Sequence, residues 1–168
     1  MLITENLILK PVCGDDYDIY TKILSSDTLT KYLPKGKAYT NEEIERHIQN
    51  RIKHWDLGFG SYVIYLRSEP KVKIGYIGVE QCDNPLYSDI RYALLTNYQG
   101  FGFIYESAKK VLVETFNANK HLTIYGAAFR DNIPSLNILK KLGMEKDIGV
   151  KLYGDTVGLE TYSIKRFV

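Results

Sequence analysis

The stretch Asn97-Tyr98-Gln99-Gly100-Phe101-Gly102-Phe103-Ile104-Tyr105-Glu106-Ser107-Ala108 constrains this chain more than any other. It follows an apolar run, Ile90 to Leu95, and leads into an amphipathic segment that continues to about Asn119. The pattern predicts a strand, a glycine-rich turn and a helix. Two glycines one residue apart at a helix start let the backbone come close to a ligand. The first N–H groups of that helix have no intrahelical partner and lie at the positive end of its dipole. Such a corner favours an anion, most often a phosphate. A G-x-G turn alone is weak evidence, because many helices follow glycine for steric reasons only. A dinucleotide fingerprint needs a third glycine where Tyr105 stands, and the Gly-Lys-Ser/Thr of a P-loop is absent. Any phosphate bound here belongs to another kind of ligand.

At 168 residues the chain is expected to form one domain, 1–168, with a sizeable core. Charged residues at 25% and hydrophobic residues at 45% are ordinary for a soluble globular protein. A net charge of +2 is too small to argue for nucleic acid. The 14 tyrosines are spread through the chain instead of gathering in a basic patch. Cys13 and Cys82 are far apart, and His47, His54 and His121 are scattered, so no metal site is expected. The first residues carry neither a basic nor a long apolar region, and no run approaches a membrane span. The expected setting is a reduced cytoplasm, as a monomer or homodimer, without nucleic acid or membrane.

Leu2 to Val12 predicts a first strand. Asp15 or Asp16 can cap a helix carrying Ile19, Ile23 and Leu24 that fades near Tyr32. Thr40 and Glu43 have capping-box spacing before a helix with Ile44, Ile48, Ile52 and Trp55 on one stripe. Its Glu42, Glu45, Arg46 and Lys53 read as a solvated face. Tyr62, Ile64 and Leu66 then alternate with Val63 and Tyr65. The next alternating segment, Val72 to Val79, contains Gly75 and Gly78, which point to a bulge or a close backbone approach. His121 to Phe129 is apolar almost throughout and predicts a central strand covered on both faces. Asn132 caps a short helix with Pro134 in its first turn and Gly143 at its end. Two strands, Lys146 to Tyr153 and Thr156 to Lys165, close the chain. The order predicts an α+β or mixed α/β domain: one central mixed, mostly antiparallel sheet flanked by about four helices.

Asp89-Ile90-Arg91-Tyr92-Ala93-Leu94-Leu95-Thr96-Asn97-Tyr98-Gln99-Gly100-Phe101-Gly102-Phe103 resembles motif A of the GNAT acetyltransferases, above all the subgroup with ribosomal-protein N-terminal acetyltransferases. Tyr92, Leu94, Tyr98, Gly100, Gly102 and Glu106 fall in register with "E-I-G-Y-W-L-x-x-x-Y-W-G-x-G-Y-A-T-E-A". Asn132 to Ser135 and Lys141 to Met144 resemble the family's "N-x-x-S…K-L-G-F", and Thr4 to Pro11 its "T-E-R-L-I-L-R-P". The resemblance spans essentially the whole chain and implies the GNAT fold. Departures stand at Asn97, Ile104 and Tyr105, and Leu139 replaces a tyrosine that many GNAT enzymes use as an acid.

The resemblance implies acetyl transfer from acetyl-CoA directly to a primary amine, with no metal. It implies a cofactor site in which the N–H groups from Gln99 through Gly100, Phe101, Gly102 and Phe103 to Ile104 hold the pyrophosphate. Pantetheine would lie along Leu94-Leu95-Thr96, with Asn132 meeting it from the other side. The oxyanion would be held by an N–H near Leu94 or Leu95. Ser135 is the nearest candidate for the acid at the leaving sulfur. Asp89 or Glu80 could take the amine proton, although each alone reads more simply as a surface carboxylate. The acceptor is open between a protein N-terminus, a polyamine, an amino acid and an antibiotic amine. Asp15, Asp16, Asp18, Glu42, Glu43 and Glu45 could rim a site for a cationic amine, or simply cap and solvate helices. The alternative is a GNAT-fold module that binds acyl-CoA without turnover.

Overall fold

Apolar alternation along the strands builds one sheet with two buried faces. The computed structural model describes residues 1–118 and 120–166. Its strands are β1 (Leu2–Ile3), β2 (Leu7–Pro11), β3 (Ser61–Leu66), β4 (Lys73–Gln81), β5 (Ser88–Leu94), β6 (Thr123–Phe129), β7 (Glu145–Lys146) and β8 (Leu159–Lys165). They lie in the order β1-β2-β3-β4-β5-β6-β8-β7. Neighbours are antiparallel except β5 and β6. The helices are α1 (Tyr17–Leu24), α2 (Asp27–Thr30), α3 (Asn41–His54), α4 (Phe103–Asn117) and α5 (Ile133–Lys141). This is the expected mixed, mostly antiparallel architecture. Among the described residues it has five α-helices, in keeping with the expected four or so; the additional one is a single turn in which Ser26 caps by accepting the Leu29 N–H at 3.3 Å.

The two faces of β3 divide as the alternation predicts. Ile64 joins a core with Ile104, Ala108 and Val111 of α4 and Leu136 and Leu139 of α5. Val63 and Tyr65 join a second core with Ile19, Tyr20 and Ile23 of α1 and Ile44 and Ile48 of α3. In β4 the alternation is interrupted. Ile64 pairs with Gly75 but Tyr65 pairs with Lys73, so Ile74 is an inserted bulge residue. Both Ile74 and Ile77 therefore reach the α4 core while Tyr76 reaches the α1–α3 core. Gly75 and Gly78 also mark close approaches: a Cβ on Gly75 would stand 2.2 Å from the Ala93 carbonyl oxygen, and one on Gly78 2.4 Å from Ser61 Cα.

Several boundaries differ from the sequence-based expectation. Leu2 to Val12 is two strands, because Thr4 turns the chain and donates its N–H to Leu7 O at 3.0 Å. The Thr40–Glu43 capping box forms, with the Glu43 N–H on Thr40 Oγ1 at 3.3 Å and the Thr40 N–H on Glu43 Oε2 at 2.7 Å. β6 is covered fully on one face only: Ile124, Gly126 and Ala128 are buried, whereas Thr123, Tyr125, Ala127 and Phe129 are half-buried. Gly126 is small because Leu139 of α5 sits over it, 2.6 Å from where a Cβ would be. The strand expected from Lys146 to Tyr153 stops at Lys146. Asp147 accepts the Gly149 N–H at 3.0 Å, an Asx turn that ends pairing, and Gly154 and Gly158 are left-handed at φ 68° and 78°. Helix α4 ends at Asn117; the expected stop at Asn119 lies outside the described residues.

Candidate active site

The site begins where the sheet opens. β5 and β6 share a single register pair, Asp89 with Tyr125, and are not paired beyond it among the described residues. Leu95 donates its N–H to Ile74 O of β4 at 2.9 Å. Backbone groups alternate sides along an antiparallel strand, so Leu94 turns its N–H and C=O the other way, into the gap. The Leu94 carbonyl is occupied by Gln99 Nε2 at 3.0 Å. Its N–H is the donor left facing the gap. Of the two oxyanion candidates, only Leu94 is free of a strand partner.

The glycine turn closes one end of this gap. Thr96–Tyr98 is a single 3-10 turn, and the Gln99 N–H is used within it, on Thr96 O at 3.1 Å. Gln99 therefore braces the loop through its side chain, and the donor series begins after it. Gly100 and Gly102 adopt left-handed φ values of 85° and 82°, and a Cβ at either would meet no atom within 4 Å. That backbone is strained for other residues and open to a ligand. The first intrahelical bond of α4 runs from the Glu106 N–H to Gly102 O at 3.0 Å. The N–H groups of Phe103, Ile104 and Tyr105 thus lie ahead of the ladder at the positive end of a 15-residue helix. Phe101 is 70% exposed and stacks on Phe103 at 5.7 Å, while the Ile104 side chain is buried in the core. Glu106 points away and clamps the N-terminal turn: its carboxylate accepts the Asn6 N–H at 2.7 Å, Asn6 Nδ2 at 2.9 Å and the Thr4 hydroxyl at 2.5 Å.

The start of α5 borders the gap from the other side. Asn132 Oδ1 accepts the Ser135 N–H at 3.4 Å, as an N-cap should. Ser135 Oγ lies 2.8 Å from the Tyr92 hydroxyl of β5. Burial raises the Tyr92 phenol to about 12, against the opposing effect of that hydrogen bond. Leu139 is buried in the core and offers no chemistry.

Glu80 and Asp89 sit on the opposite face of the sheet from Ser135, as register partners on β4 and β5. Both are buried. Glu80 accepts Arg91 Nη1 at 2.9 Å and the Ser61 hydroxyl, and Arg51 Nε stands 2.8 Å from its Oε1. That last contact is a charge contact without hydrogen-bond alignment, and Arg51 Nη1 has no hydrogen-bond partner among the described residues. The Arg51 guanidinium lies 4.3 Å from the Tyr76 ring, which stacks on Tyr20 at 4.8 Å. Asp89 accepts Arg91 Nε at 2.8 Å and the Tyr153 hydroxyl. The two carboxylates titrate in opposite directions. Burial pushes Glu80 up, but Arg51, Arg91 and Ser61 overcome it and hold the group down at about 2. Burial pushes Asp89 up as well, and there one arginine, Arg91, with the Tyr153 hydroxyl does not overcome it, so its carboxyl is raised.

Sequence reasoning missed Arg51, Arg91, Ser61 and Tyr153. Arg51 carries a readable signal, since it falls on the stripe of Ile44, Ile48 and Trp55, where a charge demands a buried partner. Tyr153 arrives from the loop that replaces the expected strand and has no such signal. The acidic rim does not assemble. Asp16 and Asp18 both pair with Lys73, Glu43 caps α3 beside Lys35, and Glu42 and Glu45 are exposed.

The chain is similar throughout to known acetyltransferases. It is 24% identical over 144 residues to the uncharacterized N-acetyltransferase YnaD of Bacillus subtilis (strain 168), covering 86% of this chain and 82% of the relative. An acetyltransferase from Agrobacterium tumefaciens str. C58 superposes with a TM-score of 0.85 at 20% identity, covering 98% of this chain and 94% of that one. RimL, a ribosomal L7/L12 alpha-N-protein acetyltransferase solved with coenzyme A, superposes with a TM-score of 0.79 at 17% identity, covering 98% and 96%. The family model described as "Acetyltransferase (GNAT) domain" matches residues 6–145. That match runs from the first long strand past α5 and takes in both walls of the gap, and the chain belongs to the GNAT acetyltransferase family.

Proposed function

We propose that this acetyltransferase takes its acetyl group from acetyl-CoA and delivers it to a primary amine, on a protein N-terminus or a small molecule. The observation that carries this reading is a pair of donor sites on one gap: the Leu94 N–H beside β5, and the open left-handed glycines at the start of α4. A strand-edge donor suits an extended amide-bearing arm and a helix N-terminus suits a diphosphate, which together are the chemistry of CoA. RimL was solved with CoA, and the structurally similar microcin C7 self-immunity acetyltransferase MccE with acetyl-CoA and AMP, which supports the same ligand here.

In the reaction the amine nitrogen adds to the thioester carbonyl carbon, the C–N bond forms, the C–S bond breaks, and the proton lost from nitrogen balances the one gained by sulfur. The Leu94 N–H donates to the carbonyl oxygen as it gains charge. Gly100 to Ile104 bind the pyrophosphate, and Leu95 and Thr96 shape the turn that aims the loop. Asn132 fixes the start of α5, and Ser135 donates to the departing sulfur. Between the two carboxylates, Asp89 is the better proton acceptor, because Glu80 is held as an anion by two arginines. Asp89 acts through Tyr153 or a water.

Free-thiol release from acetyl-CoA over a panel of N-terminal peptides, spermidine, amino acids and aminoglycosides tests the reading. Amine-dependent release is expected with one class of acceptor. CoA binding by calorimetry without release from any amine would instead support a binding module that does not turn over.

A further inference from the structure

Tyr92 and Ser135 span the two walls of the cleft, β5 and the first turn of α5, and their hydroxyl oxygens are 2.8 Å apart. Beyond Asp89 no register pair joins β5 to β6, the strand that leads into α5, among the described residues, so this contact is a side-chain link across the opening. Tyr92 also packs against the α4 core together with Leu94, on the same face of β5. Its ring is held while its hydroxyl reaches the cleft. Each hydroxyl has one proton and can accept others. If the Tyr92 proton lies on Ser135 Oγ, the Ser135 proton is released from that contact and is free to point into the gap. The reverse arrangement uses the serine proton on Tyr92 and turns the Tyr92 proton to its other acceptor, the Ser135 carbonyl oxygen at 3.5 Å. Ser135 Oγ has no other protein hydrogen-bond partner among the described residues, so Tyr92 alone sets its direction.

We infer that Tyr92 is a positioning residue for acetyl transfer: its hydroxyl donates to Ser135 Oγ and directs the Ser135 proton at the departing CoA sulfur. The inference rests on the acetyl-CoA reading above and adds a residue to it. As the C–S bond breaks, its electron pair stays on sulfur. Ser135 donates a hydrogen bond to that thiolate, which then takes a proton from solvent, balancing the one the amine has given up toward Asp89. No net proton leaves Tyr92. A donor that accepts from a neighbouring hydroxyl is polarised in turn, which strengthens its bond to an anion.

Tyr92→Phe keeps the ring and removes only the hydroxyl, so the core packing survives. Its kcat is expected to fall roughly tenfold, the scale of one hydrogen bond made in the transition state. KM for acetyl-CoA should stay within about twofold. Adding Tyr92→Phe to Ser135→Ala should cost almost nothing more, because the two hydroxyls act as one device. A second readout needs no turnover: the thiol of bound CoA, followed by thiolate absorbance, should titrate at higher pH in Tyr92→Phe than in the wild-type protein. Wild-type turnover with unchanged kcat and thiol titration in Tyr92→Phe overturns the inference alone. Fully multiplicative effects of the two substitutions overturn it as well, since they would mean independent roles. Absence of thiol release from the wild-type protein with every amine overturns the acetyl-CoA reading and the inference with it.

Discussion

Glu80→Gln isolates the charge at the hub of the buried network while keeping the side chain's shape. Glu80 neutralises Arg51, which is only 5% exposed, and shares Arg91 with Asp89. Without the carboxylate, Arg51 keeps its charge between Tyr20 and Tyr76 with no counter-ion in contact. Removing one partner of a buried pair costs about 3–5 kcal/mol. Linkage gives a similar size. Glu80 falls from an ordinary 4.5 to about 2 in the folded protein, which corresponds to roughly 3 kcal/mol. The folded state prefers the ionised form, so this contribution is fully present above about pH 5 and is lost as pH drops toward 2. Total stabilities of domains are roughly 5–15 kcal/mol, so Glu80→Gln should melt on the order of 10 °C below the wild type. It should also flatten the acid limb of the stability curve. Urea unfolding at pH 7 and pH 4 measures both effects. A variant within about 0.5 kcal/mol of wild type at pH 7, the range of ordinary surface changes, would refute the hub argument. A stable variant without turnover would instead return Glu80 to the role of general base.

Gly102→Ala should cost about 1 kcal/mol of stability through its left-handed φ and weaken CoA binding roughly tenfold or more as its methyl enters the phosphate space, measured by melting and calorimetry side by side. Gly75→Ala, with its methyl 2.2 Å from the Ala93 carbonyl oxygen, should destabilise by at least ~2 kcal/mol in urea titration; a neutral result would mean that the bulge can relax. Glu106→Gln should loosen the Thr4–Asn6 turn and raise amide exchange at Asn6 and Leu7, without changing KM for acetyl-CoA. Asp89→Asn should lower kcat about 100-fold if it is the base, with the loss showing most at neutral pH and below, where few amines are already deprotonated.

The glycine turn is legible in the sequence because its signal is local: two residues that tolerate left-handed φ, a strand before them and an amphipathic helix after. The two-faced sheet is equally legible, since alternation in Tyr62 to Leu66 separates its two cores. What cannot be read is what long-range contact decides. The Glu80–Arg51–Arg91–Asp89–Tyr153 cluster joins residues from α3, β4, β5 and a late loop, and nothing in the order of those residues announces the meeting. The loop around Tyr153 was hidden for a related reason. Its Val150, Leu152 and Tyr153 look like strand residues, but Asp147, Gly149 and Gly154 impose turns; of the three Leu152 is buried, and the Tyr153 hydroxyl reaches Asp89. The division of labour in the gap is likewise decided by a long-range contact. Sequence offers Leu94 and Leu95 equally as oxyanion donors, and the Leu95 N–H on Ile74 O decides between them.

Amide hydrogen exchange of the wild-type protein, with and without CoA, tests most directly whether the gap and glycine turn are the cofactor site. Protection is expected at Leu94 and from Gly100 to Tyr105, with Gln99, already bonded within its turn, changing least. CoA that binds but protects other amides, or leaves Leu94 and the glycine turn unchanged, would contradict that placement.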